Sequence, residues 1–193
     1  MMPYENILCE ESEGIIRILL NKPESMNAFT NSMTDELLDA LEYAAKNPDL
    51  KVIILAGAGR AFSAGGDIKT LAAGLDALNG RDYVEKIGSI VKLITTIEKP
   101  VIAEVNGFAV GSGCNVAIAA DLVIASDKAR FGQGFLPIGF VPDGGGTYLL
   151  PRLIGFRKAK ELILTGRMLD AAEAEKIGLI NKVVKAEYTI LRP

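Results

Sequence analysis

The side chains able to do chemistry in this chain are few, because histidine is absent. That removes Ser/His/Asp and Cys/His catalysis, imidazole metal sites and a titration centred near neutrality. An enzyme built from these residues must work through carboxylates, backbone amides or lysines. The carboxylate in the most telling setting is Asp143, within Val141-Pro142-Asp143-Gly144-Gly145-Gly146. A rigid proline precedes it and three glycines follow at a predicted helix start. Two readings stand: a proton carrier, or an N-cap whose side-chain oxygen satisfies helix amides. Cys114 lies beside another predicted helix start, which would lower a thiol pKa, but with no histidine as base it reads as a small core residue. Asp67 reads as a loop-shaping residue that bonds amides. Asp121 reads as a buried structural acceptor, and Lys69, Lys92 and Lys99 as solvated cations, one of which could meet a phosphate. Glu104 stands alone in an apolar strand, with no functional account from sequence.

Backbone amides are offered by two glycine-rich segments, GAGRAFSAGGDIK at 57–69 and NGFAVGSG at 106–113. Neither is a nucleotide loop: GxxxxGK[ST] is missing, and GSGCNV at 111–116 lacks the final glycine of GxGxxG. Small-residue loops after buried strands expose main-chain N–H groups. The second loop opens straight into a helix near Ser112, whose dipole favours developing negative charge. Two such amides facing each other form an oxyanion hole, each donor contributing about 3 kcal/mol in the transition state. The alternative is that these glycines only permit tight turns and close helix packing. The residue pattern leaves both open.

The elements that must position these groups follow from periodicity. A strand over 14–20 ends at Asn21-Lys22-Pro23, and a helix capped by Asn31 or Ser32 carries Met33, Leu37, Leu38, Leu41, Ala44 and Ala45 until Asn47-Pro48 stops it. The apolar run 52–56 predicts a strand buried on both faces. After the first glycine loop the spacing predicts a mobile linker through Gly74 and Gly80. A helix bearing Tyr83, Ile87, Ile90, Val91, Ile94 and Ile97 follows, then a strand over 101–105 and the second glycine loop. Helix, strand and glycine loop thus occur twice. The run 107–125 approaches a membrane span in length, but Asn115, Asp121 and its glycines mark it as a buried helix and strand. Strands over 122–125 and 129–131, an irregular segment over 132–147, and helices over 145–153, 157–164 and 171–177, the last capped by Asp170, close the pattern. Parallel strands with intervening helices give the α/β class.

With 49% hydrophobic and 23% charged residues in 193, the chain can bury one sizeable core as a single domain. Its formal charge of −3 provides no basic footprint for nucleic acid or an anionic membrane surface. Cys9 and Cys114 are too few for a disulfide framework or a zinc cluster. The acidic start MMPYENILCEE does not read as a signal peptide, so a cytoplasmic location is expected.

Three blocks, AFSAGGDIK at 61–69, KPVIAEVNGFAVGSGCNVAIAADLVIA at 99–125 and GFVPDGGGTYLLPRLIG at 139–155, resemble the signatures of the crotonase, or enoyl-CoA hydratase/isomerase, family. NKPESMNAF at 21–29 and TGRMLDAAEAEKIGLINKVV at 165–184 match it too. The resemblance implies one crotonase-like domain over 1–193, an α/β spiral of ββα units. It implies an acyl-CoA substrate, coenzyme A being part of that substrate, with no separate cofactor and no metal. It places the two oxyanion donors at the main-chain N–H groups of Ala64 and Ser112, with Ala64, Gly65, Gly66 and Asp67 along the coenzyme A site.

Family hydratases use two glutamates, and the corresponding positions here hold Asn115 and Phe135, neither of which can titrate. Asn115 could still orient a water, while Phe135 makes its wall apolar. PDGGGTYLLPR resembles the block of ring-epoxide and oxepin-CoA type isomerases, which use an aspartate at the place of Asp143 for proton transfer. The expectation is therefore an enoyl-CoA isomerase with Asp143 as acid and base. The alternatives are a hydratase with rearranged groups and a non-catalytic acyl-CoA-binding protein. Family members continue into further helices that complete the acyl pocket and trimer interface, so the chain reads as C-terminally shortened. A homo-oligomer, trimer or dimer of trimers, is expected, without nucleic-acid or membrane partners. The acyl-chain determinants fall in 71–83 and beyond the present end.

Overall fold

Apolar runs and helical stripes alternate along the chain because three strands of one sheet are each followed by a turn that carries the backbone to a second sheet and then into a helix. The computed structural model describes residues 4–67 and 77–188. Its larger sheet has the order β1-β2-β3-β5-β7-β10: β1 (Ile7–Ser12), β2 (Ile15–Leu20), β3 (Val52–Gly57), β5 (Val101–Val105), β7 (Leu122–Ser126) and β10 (Lys182–Val184). Only the β1–β2 pair in it is antiparallel. The smaller sheet, β4-β6-β8-β9, holds β4 (Ala61–Ser63), β6 (Phe108–Val110), β8 (Arg130–Gly132) and β9 (Met168–Asp170). With α2 (Ala77–Thr96), α3 (Ser112–Ile118) and α4 (Gly146–Thr165), the chain makes three turns of the same form, β3-β4-α2, β5-β6-α3 and β7-β8-α4. This is a spiral of ββα units.

Burial follows the strand period. Ile53 and Leu55 of β3, and Val101, Ala103 and Val105 of β5, enter the core with Phe29, Phe62, Phe131 and Met33. Ile54 and Ile102, on the other face, stay half-buried, so these strands are fully covered on one face rather than both. That second face holds the answer to Glu104. Its carboxylate meets the Arg17 guanidinium at 2.9 Å across the intervening β3, with both side chains less than a fifth exposed. Burial raises the Glu104 pKa and the Arg17 bond opposes it.

Caps explain the differences from the sequence expectations. The N-cap of α1 (Asn31–Lys46) is Thr30, whose extended backbone lets its hydroxyl accept from Met33 N at 3.2 Å, whereas Asn31 and Ser32 already lie inside the helix. Lys99 is not a solvated cation, since its ammonium donates to the Ala44 and Asn47 carbonyls at 2.6 and 2.5 Å and closes the C-terminal end of α1. Gly80 lies within α2 rather than in a linker, while Lys69 and Gly74 lie outside the described residues. The two helices predicted over 145–164 are the halves of α4, divided by Gly155 at φ 76°, ψ 156°. Asp170 does cap α5 (Ala171–Lys176), accepting from Glu173 N at 2.8 Å. Asp121 is an acceptor, for Val101 N at 2.8 Å, although its residue is exposed rather than buried. The run 107–125 becomes β6, the buried α3 and β7, and no helix among the described residues is long and apolar enough to cross a membrane.

Candidate active site

Four segments converge on a cavity of about 630 Å³: the loop after β4, the N-terminal part of α2, the first turn of α3, and the stretch between β8 and α4. The first is held from below. Asn27, buried at φ 54°, donates to the carbonyls of Ala58, Ala61 and Phe62. Ser63 Oγ donates to the Asn27 carbonyl at 2.8 Å and accepts from Gly65 N at 3.1 Å. Gly65 takes φ 88°, and a Cβ there would stand 2.6 Å from Val110 O and 3.3 Å from Ser112 N. Only glycine lets the loop rest this closely on the start of α3.

That loop settles which amides are available. Ala64 N–H donates to the Met26 carbonyl at 2.9 Å, so the donor expected there is already used within the fold. Gly66 forms a parallel bridge with Phe29, in which Phe29 N donates to Gly65 O at 2.7 Å and Asp67 N to Phe29 O at 3.2 Å. In such a bridge the central residue directs its own N–H away from the partner strand. Gly66 N–H consequently has no acceptor among the described residues, and Gly66 lines the cavity. Ala64 lines it too, whereas Gly65 and Asp67 do not. On the facing side, Ser112 is the first residue of α3 and its N–H is likewise without an acceptor among the described residues.

Asp143 is the one carboxylate lining the cavity among the described residues. Its side chain does not cap α4. Gly145 occupies that position, and it is the Asp143 carbonyl that accepts from Gly146 N at 2.8 Å. Instead the Ser112 hydroxyl donates to the carboxylate, 2.9 Å from Oδ1 and 3.0 Å from Oδ2. Burial raises the Asp143 pKa above the ordinary aspartate value, and the Ser112 bond opposes the rise.

Asn115 is fully buried and does not line the cavity. Its Nδ2 donates to the Asp143 carbonyl at 2.8 Å, and its Oδ1 accepts from Gln133 Nε2 at 3.0 Å. An amide committed in this way braces the backbone rather than orienting a water. Phe135 does line the cavity and makes that wall apolar, its ring 3.5 Å from where a Cβ on Gly111 would lie. Cys114 is a core residue whose thiol burial pushes up to about 12. Among the described residues no group of His, Cys, Asp and Glu is placed to hold a metal.

Three contributions escaped the sequence reading. Tyr83 was legible as one of an apolar stripe, but its hydroxyl donates to Phe29 O at 3.0 Å and ties α2 to the Gly66 loop. Gln133 is buried, and its polarity within an apolar, glycine-rich stretch was the available signal. Ser112 was read for its amide alone, although a buried hydroxyl requires a partner.

A spiral of ββα units running between two sheets in this order defines the crotonase class of fold. The chain belongs to the enoyl-CoA hydratase/isomerase family, whose profile matches residues 10–191. It is similar to a crotonyl-CoA hydratase of Syntrophomonas wolfei, 41% identical over 187 residues that make up 96% of this chain and 72% of that protein. It is also similar to a trans-2-decenoyl-[acyl-carrier-protein] isomerase of Streptococcus mutans, 35% identical over 193 residues, covering 96% of this chain and 72% of the relative. The crystal structure of an enoyl-CoA hydratase from Bacillus anthracis superposes with a TM-score of 0.92 at 35% identity, over 96% of this chain and 72% of that one.

Proposed function

We propose that the protein is an enoyl-CoA isomerase that moves a carbon–carbon double bond within an acyl-CoA thioester, using Asp143 as the single proton carrier. The observation that carries the reading is the makeup of the cavity. Among the described residues one carboxylate lines it, and the two positions where family hydratases carry glutamate hold a committed amide, Asn115, and an apolar ring, Phe135. Hydration needs one group to activate water and another to manage the α-proton. Isomerisation needs one base only.

In this reading the thioester oxygen lies between the N–H groups of Gly66 and Ser112, which stabilise the negative charge as a proton leaves the acyl chain. Asp143 takes that proton from one carbon, leaving a dienolate, and returns it to another, so that it ends as a carboxylate again. Its raised pKa brings proton affinity closer to the working range. The apolar wall at Phe135 keeps water from the intermediate. The likeness of the PDGGGT block to ring-epoxide and oxepin-CoA isomerases supports the assignment, as does the isomerase named among the relatives. Coenzyme A enters as part of the substrate, and no metal or separate cofactor takes part. We place the enzyme in the cytoplasm as a homo-oligomer. Tyr148, Phe156 and Leu164 of α4 are each more than half exposed and offer apolar surface for association, which sedimentation would detect.

The deciding experiment presents the protein with a 3-enoyl-CoA and with crotonyl-CoA. The 3-enoyl thioester should be converted to its conjugated isomer, followed by absorbance, while water addition to crotonyl-CoA is absent or very slow. Hydration near ordinary enzyme rates, about 10 per second, with no isomerisation would overturn the proposal.

A further inference from the structure

The Ser112 hydroxyl has a task separate from that of its main-chain amide: we propose that it is a positioning residue, holding the Asp143 carboxylate in register while the proton moves. The inference rests on the isomerase reading and extends it to a side chain that reading leaves without a role. Ser112 is 2% exposed, so its hydroxyl has no solvent to turn to. Among the described residues it is the one side chain bonded to the carboxylate, and it stands almost equally far from the two oxygens, 2.9 and 3.0 Å.

That near-equality matters for a group that must both take and return a proton. A hydroxyl carries one proton to donate. When either Asp143 oxygen accepts the substrate proton, the other is still within reach of Ser112. The bond therefore persists through both halves of the transfer, and the carboxyl group need not turn between them. A bond to one oxygen alone would compete with the substrate for it.

The backbone beneath is fixed from the same helix. Asn115, three residues on and on the same face, donates to the Asp143 carbonyl at 2.8 Å and is itself held by Gln133. Helix α3 thus grips Asp143 at its carboxylate through Ser112 and at its main chain through Asn115. Other titratable groups do not take over. Tyr83 and Arg81 of α2 line the same cavity, but Tyr83 gives its hydroxyl proton to Phe29 O. Asp67 of the first loop has the same charge as Asp143. Cys114 of α3 is buried in the core, the segment 133–142 carries no ionisable side chain, and Tyr148 of α4 faces solvent.

Ser112→Ala removes the hydroxyl and keeps the amide. Isomerisation should slow on the order of tenfold, the loss expected for a hydrogen bond to a charged group. The acidic limb of the kcat–pH profile should move to higher pH, because a bond that favours the carboxylate is gone. KM and the affinity for acetoacetyl-CoA, an enolate mimic, should hold, and Ser112→Thr should restore most of the rate and the limb. A carboxyl carbon NMR titration of Asp143 in the wild type and Ser112→Ala supplies a readout independent of turnover, and its midpoint should rise in the variant. If neither the limb nor the NMR midpoint moves while Asp143→Asn is inactive, the role of Ser112 is refuted and the isomerase reading stands. If Asp143→Asn isomerises as fast as wild type, Asp143 is not the proton carrier and this role fails with that assignment. Loss of acetoacetyl-CoA affinity in Ser112→Ala would show that the residue acts through the loop backbone, against the proposal.

Discussion

Replacing Asp143 by asparagine separates proton transfer from architecture, because the shape and the bonds that its carbonyl accepts from Asn115 and Gly146 are kept. A positioned acid–base group contributes typically 10²–10⁴-fold. At about 1.36 kcal/mol per tenfold, the variant should therefore lose roughly 2.7–5.4 kcal/mol of barrier lowering. Stability should change in the opposite sense. Burial holds the folded-state pKa of Asp143 above its ordinary value, so the stabilisation linked to this group is fully present below the unfolded-state pKa. It is lost as pH rises through the folded-state value. An asparagine, neutral throughout, avoids that loss. Asp143→Asn should match the wild type in acid and melt slightly higher at neutrality. Isomerisation of a 3-enoyl-CoA and thermal melting at the two pH values are the assays. A variant that keeps more than a tenth of the rate would refute proton transfer by Asp143. One that loses its stability at neutrality, together with its acetoacetyl-CoA affinity, would return the residue to a structural role.

Exchanging the Gly66 amide for an ester by incorporating glycolic acid deletes its N–H and should cost about 10²-fold in rate. The same exchange at Ala64 should leave the rate nearly intact and lower stability by about 1 kcal/mol through the lost Met26 bond; the reverse pattern would restore Ala64 as the donor. Gly146→Ala would set a Cβ 2.6–2.9 Å from the Asn115 amide atoms, and should destabilise by about 1–3 kcal/mol in denaturant titration, an unchanged midpoint contradicting the packing described. Arg17→Met strands Glu104 against a sheet face and should cost about 3 kcal/mol, whereas Arg17→Met with Glu104→Leu should recover most of it; equal losses in both would show that the pair matters only for its volume.

The spiral was legible because each of its turns writes the same signature, a short apolar strand, a small-residue loop and a helical stripe. The setting of Asp143 was legible for a similar reason, since proline and three glycines around one carboxylate are a local pattern. What escaped the sequence was decided at a distance. The resemblance places the first donor at Ala64, but Met26 claims that amide and the bridge to Phe29 turns the Gly66 amide into the cavity instead. Asn115 looked able to hold a water because Gln133, eighteen residues on, is tied to it only by the fold. Lys99 looked solvated until the end of α1 was found beneath it. Thr30 took the cap from Asn31 and Ser32 by one or two residues, within the usual uncertainty of helix starts.

The contact of Gly65 with Val110 and Ser112 sets the gauge between the two open amides by main-chain atoms, which substitutions at positions other than Gly65 leave in place. One half of the cavity is consequently written in main chain, indifferent to which side chains surround it, while the other half is written in side chains. A lineage could exchange the second half, trading one proton-handling set for another, without re-engineering the first. Ser112 alone is written in both scripts, since its backbone faces one half and its hydroxyl the other. It is the position at which a change meant for one half would be felt by both.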